Sequence, residues 1–253
     1  MRLLLTNDDG VYAPGLAALH AALAGDHQVT VAAPETEQSA VGHSITIADI
    51  IRVRPLRPST GMHGWAVLGT PADCVKLALA ELMEQPPDLV ISGINLGANV
   101  GVELLYSGTV SAATEAAICQ VPAVAISLDA RAEADFTTAA RFAATLVEHH
   151  RSLGLPPSVS LNVNVPHLPA EQIKGVRFLR QSMGRLRENF LERVDPRGRT
   201  YYWMDGEIIE PDPGSDHDHL VQGYIAITPV SHDMTHRAAL GRLAKVVLDF
   251  PGG

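Results

Sequence analysis

The sequence predicts an α/β fold built on a mostly parallel sheet, and three observations carry that prediction. Leu3, Leu4 and Leu5 form a short apolar run stopped by polar residues and Gly10, the pattern of a strand buried on both faces. Leu16, Leu19 and Leu23 then recur at helical spacing over Pro14–Ala24, and Gln28–Ala33 (QVTVAA) is a β-branched run ended by Pro34. Strand, helix and strand in that order make a right-handed crossover, hence a parallel pair. Third, Asp88–Ser92 (DLVIS) reads as a central strand that runs into the glycine- and asparagine-rich stretch Gly93–Gly101.

The remaining elements follow in order. Ile45–Val53 alternates and is expected as an outlying strand, Arg54–Gly64 as a loop, and Trp65–Leu68 as a short strand. Thr70-Pro71-Ala72-Asp73 opens a helix toward Met83, with Thr70 at the N-cap, Pro71 at the first position and Asp73 in the acidic role of a capping box. Ser107-Gly108-Thr109 precedes a helix carrying Ala112, Ala113, Ala116, Ala117 and Ile118. Val121–Ser127 is a buried strand, Phe136–His149 an amphipathic helix, and Ser158–Val165 a strand ended by Pro166. Val176–Gln181 also reads as a strand. Arg185–Thr200 is charged with no helical stripe, Tyr201–Met204 is strand-like, and Tyr224–Pro229 is its expected partner. Between them Asp216, His217, Asp218 and His219 are expected on a solvated loop tip rather than at a metal. The tail Arg237–Phe250 is expected to fold back on the core.

Composition narrows the function. A chain of 253 residues accommodates one large domain or one and a half, and its 46% hydrophobic content supplies a sizeable core. A net charge of −9 and a pI near 5.6 argue against a non-specific grip on long nucleic acid, while a small anion held through a metal stays open. Cys74 and Cys119 lie far apart without CxxC spacing, so neither a disulfide scaffold nor a zinc site is expected; both are expected as buried thiols. The N-terminal apolar run is too short for a signal peptide, and no segment approaches the roughly 20 apolar residues of a membrane helix. A soluble cytoplasmic protein is the expectation.

Chemistry concentrates where strands end. Asp8 and Asp9 stand side by side after the first strand, at the sheet edge where open α/β folds bind ligands. Adjacent carboxylates repel unless a cation or a shared proton neutralises them, so a hard divalent metal is one reading and a helix N-cap the other. The polar loop Pro34–Ser44 and the stretch Gly93–Gly101 reach the same edge. Ser107-Gly108-Thr109 reads either as a plain cap or as a phosphate site at a helix start.

Several of these stretches together resemble the SurE family of metal-dependent 5′/3′-nucleotidases. They are TNDDG (Thr6–Gly10), APETEQSAVGHSIT (Ala33–Thr46), GTPADCV (Gly69–Val75), SGINLGANVG (Ser92–Gly101), YSGTVSAATEA (Tyr106–Ala116) and ITPV (Ile227–Val230). The resemblance implies one divalent metal, Mg²⁺ or Mn²⁺, held by Asp8, Asp9, Ser39 and Asn95. It also implies a single domain with a Rossmann-like three-layer α/β/α core over about residues 1–182 and a C-terminal β-hairpin arm over about 183–230. Residues 231–253 would pack on the core, and the arm would join a homodimer or homotetramer.

The expected reaction is hydrolysis of nucleoside monophosphates, with short polyphosphate as an extension. Asn99, Ser107, Gly108 and Thr109 would hold the phosphate, Asp8 or Asp9 would accept the water proton, and His43 would protonate the leaving oxygen. Two rivals stand beside it. An aspartyl-phosphate receiver lacks its acceptor Asp at Ser92–Asn95 and its Lys at Val124–Asp129. A non-catalytic nucleotide or metal sensor would bind without releasing phosphate.

Overall fold

The computed structural model describes residues 1–132 and 134–246, without the side chains at 186 and 207–209. The elements run β1 (Arg2–Thr6), α1 (Pro14–Leu23), β2 (Gln28–Pro34), β3 (Arg52–Pro55), β4 (Gly64–Leu68), α2 (Pro71–Leu77), β5 (Leu89–Leu96), α3 (Gly108–Ile118), β6 (Ala123–Asp129), α4 (Thr137–His149), β7 (Val159–Pro166), β8 (Val176–Phe178), β9 (Arg185–Val194), β10 (Thr200–Glu210), α5 (Asp216–Val221), β11 (Ile225–Ser231) and α6 (Arg237–Leu243).

Nine strands form one sheet in the order β3-β4-β2-β1-β5-β6-β7-β11-β8. It is parallel from β4 through β7; β3 runs antiparallel at one edge, and β11 runs antiparallel to β7. Side chains on a strand alternate between faces. Leu3 and Leu5 therefore join the layer of Leu16, Leu19 and Leu23 on α1 and of the buried face of α4. Leu4 joins the opposite layer, with Val75 on α2 and Ala112, Ala113 and Ala116 on α3. This is the expected three-layer α/β/α core with a mostly parallel sheet. Strand order reverses between β2-β1 and β5-β6, so a crevice opens beyond the carboxyl ends of β1 and β5. α2 starts as expected: the Thr70 hydroxyl accepts from Asp73 N, and the Asp73 carboxylate accepts from Thr70 N.

The C-terminal third departs from expectation in several places. Tyr201–Met204 pairs with the charged segment Arg185–Val194, so β9 and β10 form the hairpin arm between themselves. Tyr224–Pro229 instead supplies β11 to the main sheet, because Ala226 and Ile227 are buried against the core. The arm is accordingly shorter than residues 183–230. Asp216 to His219 form the first turns of α5 rather than a loop tip, and the Asp216 carboxylate is fully buried. Of the expected outlying strand Ile45–Val53 only Arg52 and Val53 lie in β3, which runs on to Pro55 in the segment expected as a loop. Cys74 is buried, whereas Cys119, at the end of α3, is exposed. No residue from 231 to 246 is buried, so this part of the tail does not pack on the core; the expected segment from 247 onward lies outside the described residues.

Asp216 ties the base of the arm to the crevice. Its Oδ1 accepts from Ser182 N (2.8 Å) and His217 N (2.8 Å), and its Oδ2 from Gly101 N (3.2 Å). Losing that acceptor leaves buried donors unpaired. Asp216→Ala is expected to cost about 3 kcal/mol in urea unfolding; a loss below about 1 kcal/mol would mean that water replaces the carboxylate.

Candidate active site and metal centre

β1 leads into Asn7-Asp8-Asp9-Gly10, of which Asp8 and Asp9 line the crevice. Asn7 Nδ2 donates to Gly10 O at 2.8 Å and closes the turn. β5 delivers Asn95 through a bulge: Ser92 pairs with Ala125 but Asn95 with Ser127, so β5 carries one extra residue there. A bulge of this kind re-aims the side chain that follows it. Gly93 makes it possible, since its φ is +137° and an added Cβ would lie 2.3 Å from Ile126 O. Asn95 Nδ2 donates to Gly97 O at 2.8 Å, which leaves its amide oxygen for the crevice. The loop after β2 brings Ser39, and Gln38 N donates to Asp8 O at 2.7 Å.

These side chains share one cavity of about 760 Å³, lined by Asp8, Asp9, Ser39, Asn95, Asn99 and Ser107. Tyr106 and Phe136 supply apolar wall. Asn99 is locked from behind: its N–H donates to Asn164 Oδ1 (2.8 Å) and its Nδ2 to Ser127 Oγ (2.9 Å). Ser107 caps α3, its hydroxyl accepting from Val110 N at 3.1 Å.

Gly108 and Thr109 sit elsewhere than a simple phosphate cradle would put them. The Thr109 hydroxyl, fully buried, donates to Asp8 Oδ1 at 2.5 Å. A Cβ at Gly108 would lie 2.7 Å from Asp8 Cβ. The first turn of α3 therefore backs the Asp8 carboxylate. His43 is not among the side chains that line the cavity; its Nε2 lies 2.7 Å from Glu115 Oε2.

The charges explain why the pair needs help. Burial pushes the Asp8 carboxyl up, opposed by the Thr109 hydroxyl and the backbone N–H groups at the start of α3. Burial, and then the neighbouring Asp8, push Asp9 up to about 6. Two crowded carboxylates beside a hydroxyl and an amide oxygen are the donors of a hard divalent cation, so the residues fit one. Among the described residues no group of three or more His, Cys, Asp or Glu is arranged for a metal, so no thiolate or imidazole centre competes.

The sequence pattern described as Survival protein SurE matches residues 3–188. The chain belongs to the SurE family. It is 51% identical over 247 residues to a SurE protein of Syntrophobacter fumaroxidans, covering 97% of this chain and 99% of that one, and 52% identical over 246 residues to one from Syntrophus aciditrophicus, covering 96% and 92%. Both relatives carry the name 5′-nucleotidase SurE. The crystal structure of SurE protein from Aquifex aeolicus superposes with a TM-score of 0.83 at 36% identity, covering 96% of this chain and 98% of that one. SurE membership agrees with the fold and with the order of the motifs along the chain.

Sequence reasoning missed Glu115 and Lys76, which join His43 behind the site, and the wall residues Tyr106 and Phe136. Glu115 had a signal: it is the lone charged residue of α3, a helix otherwise buried nearly all round.

Asp9 sets a pH dependence in chelator. Its folded carboxyl titrates near 6 against an ordinary 3.8, so the folded state holds its proton longer than the unfolded state. Stability contributed by that proton is present at low pH and is lost as pH rises from about 4 to about 6. Metal-free wild type is expected to lose stability relative to Asp9→Asn across this window, read from urea midpoints; parallel midpoints would refute the shift.

Proposed function

We propose that this SurE-family chain is a divalent-metal-dependent phosphomonoesterase that hydrolyses nucleoside 5′- and 3′-monophosphates to nucleoside and phosphate. The observation that supports the reading is that Asp8, Asp9, Ser39 and Asn95 line one cavity beside Asn99 and Ser107. The names of the full-length relatives support the substrate class.

Asp8, Asp9, Ser39 and Asn95 would hold Mg²⁺ or Mn²⁺, which when bound neutralises charge on the phosphoryl oxygens. Asp8 is braced by Thr109 and Gly108, so it serves as a fixed anion. Asp9 lines the cavity with one long bond from Leu96 N, which supports it over Asp8 as the carboxylate that would orient the attacking water and take its proton. Asn99 and Ser107 line the side where phosphate would sit, with the α3 N-terminus behind them. Tyr106 and Phe136 offer the nucleoside an apolar surface.

We further propose that the arm joins copies of the chain into a homodimer or homotetramer. A lone two-stranded hairpin is marginal in water, and Phe190, Tyr202, Trp203 and Met204 stand exposed on it. No helix among the described residues is long and apolar enough to cross a membrane; the cytoplasm is the setting we propose.

The test is phosphate release from a panel of nucleoside monophosphates and a short polyphosphate, in EDTA and then with Mg²⁺ or Mn²⁺ restored. Release is expected to vanish with chelator and return with metal. Asp8→Asn and Asp9→Asn are expected to lower turnover by roughly 10²-fold or more with the fold intact by circular dichroism. Near-normal turnover in either, or nucleotide binding with no release under any ion, would overturn the reading.

A further inference from the structure

Glu115 lies in the last turn of α3 and has no part in the reaction as described. Its side chain is only 4% exposed, yet it serves two other elements: His43 Nε2 lies 2.7 Å from Oε2, and Lys76 Nζ of α2 donates to Oε1 at 2.7 Å. The His43 hydrogen bond, and Lys76 after it, outweigh burial and hold this carboxyl below its ordinary range.

His43 belongs to a loop without a core. From 35 to 51 no residue is buried, so apolar packing does not fix the loop. What holds it from Gln38 to Thr46 is polar. Gln38 N donates to Asp8 O, and Gly42 N to Tyr106 O at 2.9 Å. His43 meets Glu115. Thr46 N and Oγ1 donate to Asp73 at 2.9 and 2.6 Å, and Thr70 Oγ1 donates to Ser44 O at 2.8 Å. Asp73 and Glu115 are both buried carboxylates on helices, and charge-assisted bonds of this kind are the strong ones. Ser39 hangs between the Gln38 attachment and the His43 attachment.

We propose that Glu115 is a positioning residue: through His43, and with Lys76 as counter-charge, it fixes the loop so that Ser39 stands over Asp8 and Asp9. His43 then serves the geometry of the metal site rather than giving a proton to the leaving oxygen. The inference rests on the reading of Ser39 as a metal ligand. One observation favours it over the acid role: Ser39 lines the cavity, while His43, with its Nε2 at Glu115, does not.

Partners behind a metal ligand typically govern affinity by 10- to 100-fold. The experiment is a calorimetric Mn²⁺ titration of metal-free wild type, His43→Ala, Glu115→Gln and the double variant. Each single variant is expected to bind Mn²⁺ about 10-fold more weakly. The double variant is expected to be no weaker than the weaker single, because both changes cut one connection. Turnover of a nucleoside monophosphate and of p-nitrophenyl phosphate should fall together and largely recover at saturating Mn²⁺. Unchanged Mn²⁺ affinity in both singles overturns the proposal. So does a loss for His43→Ala that persists at saturating Mn²⁺ with the nucleotide but is absent with p-nitrophenyl phosphate, whose leaving group needs no proton.

Should a single variant fail to fold, Lys76→Met at a half-exposed position takes its place. It is expected to speed hydrogen exchange at amides 39–44 and to weaken Mn²⁺ several-fold, and no change in either overturns the proposal. Wild type that binds no Mn²⁺ refutes the metal reading itself. Wild type that binds Mn²⁺ without releasing phosphate refutes the phosphatase reading and leaves the titration to judge Glu115.

Discussion

Two carboxylates, consecutive in sequence and withdrawn from water at the carboxyl end of the strand beside the fold's switch point, set the terms for everything around them. Taking one anion out of water is costly, and a second beside it is costlier. The chain answers unequally. Asp8 is backed by the Thr109 hydroxyl and by N–H groups at the start of α3, the positive end of a helix. Asp9 has one long bond, from Leu96 N at 3.4 Å, and burial drives its carboxyl to about 6. The protein's own donors thus stop short of neutralising the pair, a deficit that the proposed cation would fill. The glycines at the site follow from the same crowding. Gly108 leaves room for Asp8 against α3, and Gly93 lets β5 turn Asn95 toward the pair.

What the sequence revealed depended on whether a segment has a buried face. β1, β2, β5, β6 and β7 were legible because their side chains enter two apolar layers, and a strand buried on both faces must read as an apolar run. β9 was not, since RLRENFLERV has no core to impose a period of two on its composition. Tyr224–Pro229 was legible as a strand but not in its pairing. Pairing between distant segments is decided by burial, and Ala226 and Ile227 fill the main core. Asp216 misled because residue type suggests a solvated acid, whereas three backbone N–H groups make a buried one tolerable.

The candidate site divides along the same line. Strand-end logic singled out Asp8 and Asp9 and the two loops that carry Ser39 and Asn95; the resemblance named Ser39 and Asn95 themselves, and all four line one cavity. Thr109 was found for its place at a helix start, but the structure aims that helix start at Asp8. Residue type and position identified the donor; only the tertiary arrangement could identify the acceptor. His43, likewise, was conspicuous in the loop while its partner lay on a distant helix.

The assembly of the crevice is therefore uneven in its mechanics. Asp8, Asp9 and Asn95 leave strands whose apolar residues are locked between two helical layers, so their positions are as rigid as the core. Ser39 leaves a loop with no buried residue, and its position is only as firm as the loop's hydrogen bonds to Asp73, Glu115, Thr70, Asp8 O and Tyr106 O. Segments with few buried contacts open at lower free energy than the core. A cation that takes oxygens from both sides would bind the closed loop better than the open one, and that difference would be carried by the loop before it reached the sheet. The buried Glu115 carboxylate, in the last turn of α3, holds His43 of that loop without a cation. Part of the ordering that the cation would otherwise impose is already supplied by the chain.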